Sequence, residues 1–280
     1  MRSDGRQDDS LRPLQVRLGE LSRADGSGRF SFGPSAALAS FTGPTEIRLR
    51  EEQLSQATLE LVHRPLEGVA GVQSRALEDS LSAVFEPLLN LRAFPRSLCQ
   101  IVVQGLAPAP AAYPSSSPFG APSQRNGWPR DSNADADEDE DMDGETKEEE
   151  GASPLAGYSF SARAAALNAA SLATLHAGSV GLRAFPIAVS LALNTDGDLL
   201  VDPTLDEETG AQARFGFGWA FGAGISSKKD DADEEAELVW AEAEGDFSKQ
   251  EFDAARDLSR RKAEEVLDFV KEKVGEYFEQ

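Results

Sequence analysis

The amino-acid sequence predicts a single mixed α+β domain in which helices pack against β-sheets. Apolar and polar residues alternate over several short runs, which is the pattern of half-buried strands. Three longer stretches carry apolar residues at the spacing of helices that bury one face. The 280 residues, 40% of them hydrophobic, are enough to enclose a sizeable core.

The first part of the chain predicts four strands. The first two are joined by Asp25-Gly26, a dipeptide typical of tight turns, and therefore form a hairpin. The third and fourth are short apolar runs that follow the hairpin. The predicted strands span 14–21, 28–32, 36–42 and 57–64.

A helix is predicted next, over 73–92, because its leucines recur at helical spacing together with Val84 and Phe85. Pro95 bars its continuation, since proline lacks the backbone donor of a helix interior. Residues 98–104 then predict a fifth strand.

The segment 106–156 is rich in Pro, Ala, Ser and Gly and then becomes strongly acidic. Such a composition cannot bury enough apolar surface to offset the entropy of ordering, so we expect a disordered insertion. A shorter acidic loop is expected at 225–235. The net charge of -22 is concentrated in and around these two segments, so the rest of the chain can still present a local basic surface.

The second part of the chain predicts two helices separated by four strands. Gly178 is the expected C-cap of the first helix and Ser248 the N-cap of the second. The third predicted strand alternates glycine with phenylalanine and tryptophan. The predicted helices span 161–177 and 249–278, and the strands span 183–193, 199–201, 213–221 and 238–243.

Cys99 is the single cysteine, so no internal disulfide can form and an intracellular, soluble protein is the expectation. The charged first residues are followed by no apolar stretch typical of a signal peptide, and no run approaches the length of a membrane span.

Several strings, in their order and spacing, identify a family. In the first part they are Asp4-Gly5-Arg6, Leu11-Arg12-Pro13, Ser22-Arg23-Ala24-Asp25-Gly26-Ser27-Gly28-Arg29-Phe30-Ser31-Phe32-Gly33 and Thr42-Gly43-Pro44. In the second part they are Leu167-Asn168-Ala169-Ala170, Asp196-Gly197-Asp198-Leu199-Leu200-Val201-Asp202-Pro203-Thr204 and Glu207-Glu208. Together they resemble the RNase PH family over nearly the whole chain outside the acidic segments.

The resemblance implies an RNase PH-like fold (ribosomal protein S5 domain 2-like), formed by 1–105 and 157–280. It also implies a subunit of the eukaryotic RNA exosome ring, which scaffolds 3′-to-5′ RNA processing and decay. The expected partners are RNase PH-like neighbours of the 45-type and 43-type, S1 and KH cap subunits, an associated catalytic ribonuclease, and RNA bound without sequence preference. The implied location is the nucleus and nucleolus, and also the cytoplasm.

By the same resemblance, the acidic site of active members falls on Tyr158, Ser159, Phe160 and Ser161 in this chain. A tyrosine is neutral near pH 7 and cannot replace a metal-binding carboxylate. The stretch 95–130, where a second acid is expected, contains no Asp or Glu. We therefore predict no catalytic residue, no metal, no cofactor and no phosphorolysis.

The first predicted helix also lacks the arginine cluster that holds phosphate in active members, since Arg75 is followed by Glu78 and Asp79. We nevertheless expect some arginines to touch RNA phosphates, because such contacts need no sequence readout. By resemblance, the loop carrying Arg50 faces the central channel of the ring, and the other three are expected around the former active site. The candidates are Arg50, Arg75, Arg92 and Arg96.

Other polar residues are interpreted as structural. His63 and His176 have no partner at ligand spacing, and Cys99 lies in an apolar strand. Asp202, Glu207 and Glu208 could suggest a magnesium cluster, but a solvated loop at a strand end is the preferred interpretation.

Two other functions remain open from the sequence. One is an active phosphate-dependent 3′ exoribonuclease, against which Tyr158 and the acid-free stretch argue. The other is an acidic nuclear chaperone-like protein that binds partners through its insertion; deletion of 107–156 would then abolish partner binding.

Overall fold

The computed structural model describes residues 2, 5–66, 68–106, 158–222 and 236–279. The predicted insertion at 106–156, apart from Leu106, and the predicted acidic loop at 225–235 lie outside the described residues. Among the residues described, no helix is long and apolar enough to cross a membrane.

A five-stranded sheet forms the first half of the fold, with spatial order β1-β2-β3-β5-β4. Its neighbours pair antiparallel except β4 and β5, which run parallel and are connected through helix α1. This connection places the start of α1 at the end of β4. The elements are β1 (Leu14–Leu18), β2 (Gly26–Phe32), β3 (Ser35–Glu46), β4 (Thr58–Arg64), α1 (Val72–Leu88) and β5 (Ser97–Gly105).

A four-stranded antiparallel sheet forms the second half, with order β7-β6-β8-β9. Helix α2 precedes it, a short helix α3 follows β7, and the long helix α4 ends the fold. The elements are α2 (Phe160–Ala177), β6 (Phe185–Leu193), β7 (Leu199–Val201), α3 (Leu205–Thr209), β8 (Ala213–Phe221), β9 (Ala236–Gly245) and α4 (Lys249–Phe278).

Helix α2 lies between the two sheets, contacting β2 and β3 on one side and β6 and β8 on the other, and is buried on nearly every face. Two glycines let β2 approach it closely. A Cβ atom at Gly26 would lie 2.3 Å from the carbonyl oxygen of Ala173, and one at Gly28 would lie 2.5 Å from Cβ of Leu172. Glycine is required at both positions because any side chain would displace the helix.

Asn168 of α2 forms hydrogen bonds with backbone groups of β6 beyond the end of its pairing with β7. Its side-chain amide donates to the carbonyl oxygen of Ala188 at 3.0 Å, and its carbonyl oxygen accepts the Ala188 N–H at 2.7 Å. The side chain thus supplies the two hydrogen bonds that a neighbouring strand would make, in a site where unpaired backbone groups are costly.

Helix α4 packs on β6, β8 and β1. It begins with a capping box, in which the Ser248 side chain accepts the Glu251 N–H and the Glu251 carboxylate accepts the Ser248 N–H. Its buried face contains Ala255, Ala263, Val266 and Val270.

The predicted elements are confirmed in kind and order, but several bounds differ; strand β1, for example, ends at Leu18 rather than at residue 21. Helix α1 ends at Leu88 rather than at residue 92, because Leu89 leaves the helix and forms a β-bridge with Leu182. Strand β3 continues beyond Thr42 to Glu46, through the cis Gly43-Pro44 peptide and a register shift. Helix α3 was not predicted, because its five residues are too few to show a period.

Candidate functional site

The four positions predicted to carry a lost acidic site lie where the start of α1 meets the start of α2. The Tyr158 hydroxyl lies 2.9 Å from the Ser74 hydroxyl in the first turn of α1. Ser159 is the N-cap of α2, and its side chain accepts the Ala162 N–H. Phe160 and Ser161 form the first turn of α2, so these side chains serve the fold at this junction.

His63, at the end of β4, packs against Tyr158 with ring centroids 5.0 Å apart in an edge-to-face arrangement. It is 3% exposed, and burial lowers the pKa of its imidazole to about 4, so the ring is neutral near pH 7. Its backbone N–H donates to the Glu78 carboxylate at 2.8 Å. Within the described part of the chain, no group of three or more potential ligands could hold a metal ion.

The four arginines predicted to touch RNA do not lie together. Arg75, in the first turn of α1, is near Tyr158 and pairs with Glu78 at 3.3 Å. Arg92 and Arg96 follow the other end of α1, and a 17-residue helix spans about 24 Å. The expectation that Arg92 and Arg96 surround the former active site is therefore wrong, because α1 carries the chain away from it.

The turn that carries Arg92 and Arg96 instead contacts the loop that carries Arg50. The Arg96 N–H donates to the carbonyl oxygen of Gln53 at 3.1 Å, and its guanidinium pairs with Glu52 at 3.2 Å. A further bond joins the Ala57 N–H to the Leu91 carbonyl oxygen at 2.9 Å. The loop and the turn after α1 thus form one end of the first sheet.

Two further arginines belong to the same end of the molecule. Arg48 lies in the same loop, and the Arg183 N–H donates to the carbonyl oxygen of Leu88, the last residue of α1. Arg183 was not predicted as a candidate, because only the tertiary structure brings it to the end of α1. The arginine surface, as we call it, consists of the exposed residues Arg48, Arg50, Arg92, Arg96 and Arg183.

The start of α2 is occupied by an internal carboxylate. Glu208, from α3, accepts the Phe160 N–H at 3.0 Å and the Ser161 N–H at 3.1 Å. Its side chain is buried, and desolvation raises the pKa of its carboxyl to about 7 against the lowering effect of these bonds and of Arg214 and Arg163. The backbone donors at this helix start are therefore already satisfied.

Asp202 and Glu207 hold the N-terminal segment against the second sheet. Asp202 is completely buried; the Arg12 Nε donates to its Oδ2 at 2.8 Å, and Arg12 also contacts Ser161. Arg2 makes two bonds to the Glu207 carboxylate, at 3.0 and 2.8 Å. The expectation of a solvated loop is wrong, because each carboxylate meets an arginine far away in sequence.

A second set of charges surrounds the buried Arg163 in the first turn of α2. The Arg163 guanidinium pairs with Glu242 at 2.8 Å and with Glu244 at 3.4 Å, and Arg214 pairs with Glu244 at 2.6 Å. Both guanidiniums lie over the Phe160 ring, at 4.3 and 5.8 Å from its centroid. We call Arg163, Arg214, Glu242 and Glu244 the guanidinium–carboxylate network.

The remaining candidates have structural surroundings. Cys99 is buried, and burial raises the pKa of its thiol to about 11, so it is not a nucleophile near neutral pH. The His176 Nδ1 accepts the Ser27 N–H at 3.3 Å, and its Nε2 lies 3.1 Å from the Tyr277 hydroxyl. His176 thus joins α2, β2 and α4.

Comparison with protein families matches residues 10–179 to the first domain of the RNase PH 3′ exoribonuclease family. Among curated proteins, the chain is 26% identical over 255 residues to the Exosome complex component RRP46 of Saccharomyces cerevisiae, covering 91% of this chain and 92% of the yeast protein. It is 32% identical over 88 residues to Exosome complex component rrp46 of Schizosaccharomyces pombe, covering 31% and 39% of the two chains.

Solved structures share the fold. The crystal structure of rice (Oryza sativa) Rrp46 matches with a TM-score of 0.68 and 19% identity, over 96% of this chain and 98% of that one. A chain of the Archaeoglobus fulgidus exosome with RNA bound to the active site matches with a TM-score of 0.62 and 13% identity, over 96% and 92%. Both likenesses confirm the predicted fold class.

Proposed function

The chain belongs to the RNase PH family of 3′ exoribonucleases, and from this membership we propose that it is a non-catalytic subunit of an RNA exosome core ring. The observation that carries the proposal is an intact two-sheet fold in which Tyr158, the position that by resemblance corresponds to an acid of active members, is hydrogen-bonded to Ser74. In this role the chain scaffolds 3′-to-5′ RNA processing and degradation.

Similarity along almost the full length of a yeast exosome component supports the ring position. The proposed neighbours are the 45-type and 43-type RNase PH-like subunits, beneath S1 and KH cap subunits and beside a separate catalytic ribonuclease. We propose residence in the nucleus and nucleolus, and also in the cytoplasm, where such assemblies process and degrade RNA.

The chemistry of the α1–α2 junction supports the absence of phosphorolysis. Phosphate attack on an RNA 3′ end needs cations to hold the phosphate and carboxylates to place a metal. The described residues at this junction present the Tyr158 hydroxyl, a neutral imidazole and Glu78, whose carboxylate is already bonded to the His63 N–H and paired with Arg75. The Glu208 and Asp202 carboxylates also reach Ser161, but Glu208 is already bonded to backbone N–H groups and Asp202 to Arg12. Neither a metal nor a free phosphate is favoured by that combination.

The arginine surface supports a contact with the RNA backbone. Its five residues are exposed around the end of α1 and the adjoining end of the first sheet, and Glu52, which pairs with Arg96, offsets part of their charge. Contacts of this kind bind phosphates of any sequence and weaken as salt rises. Arg75 would make a separate contact at the other end of α1.

Two assays test the proposal. Purified chain incubated with phosphate and a 3′-extended RNA should release no nucleoside diphosphate, whereas release that survives further purification identifies an active exoribonuclease. Chain mixed with its RNase PH-like neighbours should enter a ring on size-exclusion chromatography. Deletion of 107–156 should leave that ring intact, whereas loss of all partner binding supports a chaperone-like protein that acts through the insertion.

A further inference from the structure

The Glu242 carboxylate lies in a cradle of donors from three elements. It accepts the Ser80 hydroxyl of α1 at 2.8 Å, the Trp240 indole N–H of β9 at 2.9 Å and the Arg163 guanidinium of α2 at 2.8 Å. A hydroxyl, an N–H and a guanidinium that converge on anionic oxygens are also the donor types that bind a phosphate oxygen. The cradle is therefore suited to an oxyanion, and here the oxyanion is a side chain.

The neighbouring Glu244 carboxylate lies between two guanidiniums. Arg163 donates to one of its oxygens at 3.4 Å, and Arg214 donates to the other at 2.6 Å. The Phe160 ring packs against both guanidiniums and helps to fix their positions. The two carboxylates together balance the two cations.

The exposure of these side chains shows from which side an anion would enter. The Arg163 side chain is 1% exposed, whereas those of Glu242, Glu244 and Arg214 are 19%, 17% and 22% exposed. The carboxylates thus stand on the solvent side of a buried guanidinium. A buried cation whose partner is removed is strongly unfavourable and favours capture of another anion.

We propose that Glu242 and Glu244 act as an internal anion, filling a site that Arg163, Arg214, Ser80 and Trp240 form for a phosphate group. The chain thereby excludes inorganic phosphate, and equally an RNA phosphate, from the first turn of α2. This inference rests on the proposed absence of phosphorolysis. The two carboxylates would be a second reason for that absence, in addition to Tyr158.

The test is phosphate binding by the double variant Glu242→Ala/Glu244→Ala, which removes both carboxylates and the volume that they fill. The native chain should bind inorganic phosphate no better than chloride, by calorimetry and by thermal unfolding at equal ionic strength. The double variant should bind phosphate at least about ten-fold more tightly than the native chain, and phosphate should raise its Tm.

A matched control separates the site from a change in net charge. The variant Glu265→Ala/Glu276→Ala also removes two carboxylates, which pair with Lys262 and Lys273 on α4. It should gain no phosphate binding. Adding Arg214→Gln to the double variant of the network should abolish the gain.

The source of the phosphate is distinguished by comparing inorganic phosphate with short RNAs that end in a 3′-phosphate or a 3′-hydroxyl. If only the RNA with a 3′-phosphate binds the double variant more tightly, the site is assigned to RNA ends. If inorganic phosphate and the 3′-phosphate RNA both bind more tightly, the site is assigned to phosphate groups in general.

A folded double variant that binds phosphate no better than the native or control chain overturns the proposal and leaves the network a structural brace. If the variant folds poorly in chloride, recovery of native circular dichroism in phosphate supports the site, and failure to recover overturns it. Ring assembly by the native chain is measured separately, so the proposed function can stand or fall independently.

Discussion

The Tyr158 hydroxyl lies 2.9 Å from the Ser74 hydroxyl, so the residue that precedes the N-cap of α2 is hydrogen-bonded to the first turn of α1. The same ring packs edge-to-face on His63, at the end of β4. Tyr158 thus joins the end of β4, the start of α1 and the start of α2 at one junction.

Removing this hydrogen bond should cost a modest amount of stability. Tyr158→Phe keeps the ring against His63 and should lower the free energy of unfolding by about 1 kcal/mol. Ser74→Ala should have a similar effect, and the double variant should cost less than the sum, because the two groups share one bond. Urea unfolding of the four proteins checks this. If the losses in the free energy of unfolding of the two single variants add fully in the double variant, the hydrogen bond between the two side chains is contradicted.

The buried pair of Arg12 and Asp202 should contribute more to the free energy of unfolding than the bond between Tyr158 and Ser74 does. Asp202→Asn leaves the Arg12 guanidinium buried without its charge partner and should lower the free energy of unfolding by about 3–5 kcal/mol. Asp196→Asn, in an exposed turn, is the matched control and should change it by less than about 0.5 kcal/mol. Equal midpoints in chemical unfolding of the two variants would rule out the structural role of Asp202.

His63 should make the protein less stable in mild acid. Its folded pKa of about 4 lies below the ordinary value of 6.5, so the unfolded chain binds the proton more readily. The stability contribution is full above pH 6.5 and is lost as the pH falls towards 4, amounting to about 3 kcal/mol. His63→Gln should remove this part of the pH dependence of urea unfolding. An unchanged profile would contradict the burial of a neutral ring.

Glu208 should make the protein less stable as the pH rises, which is opposite to the effect of His63. Its folded pKa of about 7 lies above the ordinary value of 4.5, so the folded chain binds the proton more readily. Its contribution is full below pH 4.5 and is lost as the pH rises through 7, again by about 3 kcal/mol. In Glu208→Gln, stability should rise more steeply from pH 4.5 to 6.5 than in the native chain, because the effect of His63 is no longer offset. A flatter rise would contradict this assignment.

The arginine surface should contribute to RNA binding in the assembled ring. Arg50→Gln and Arg92→Gln should each reduce the slope of log affinity against log salt by about 0.7, the value for one phosphate of a single strand. Arg17→Gln, on strand β1 and paired with Glu20, is the control and should leave the slope unchanged. Arg75→Gln tests the separate predicted contact at the far end of α1. If all four variants had the same salt slope as the native chain, the predicted RNA contacts would be contradicted.

The periodicity of the sequence predicted most of the fold because strands and long helices leave local signals. The span of α4 and its cap at Ser248 were predicted correctly from the apolar stripe and from one serine. The short helix α3 was missed, although Thr204 and Glu207 have the spacing of a capping box.

The site was harder to predict because its contacts join residues far apart in the chain. Arg12 and Asp202 are 190 positions apart, and no local pattern indicates that they pair. Arg163 did leave a signal, since a charged residue in an alanine-rich helix that is buried on every face requires a partner. The identity of those partners, Glu242 and Glu244, depends on the register of β9 and becomes clear only in the structure.

The most direct test of the central claim is a mass-spectrometric inventory of the proteins that co-purify with the tagged full-length chain from its own cells. A silent ring subunit should recover five other RNase PH-like proteins in near-equal amounts, together with S1 and KH proteins and a distinct ribonuclease. Recovery of the chain as a stable monomer, free of any RNase PH-like protein, would contradict the account.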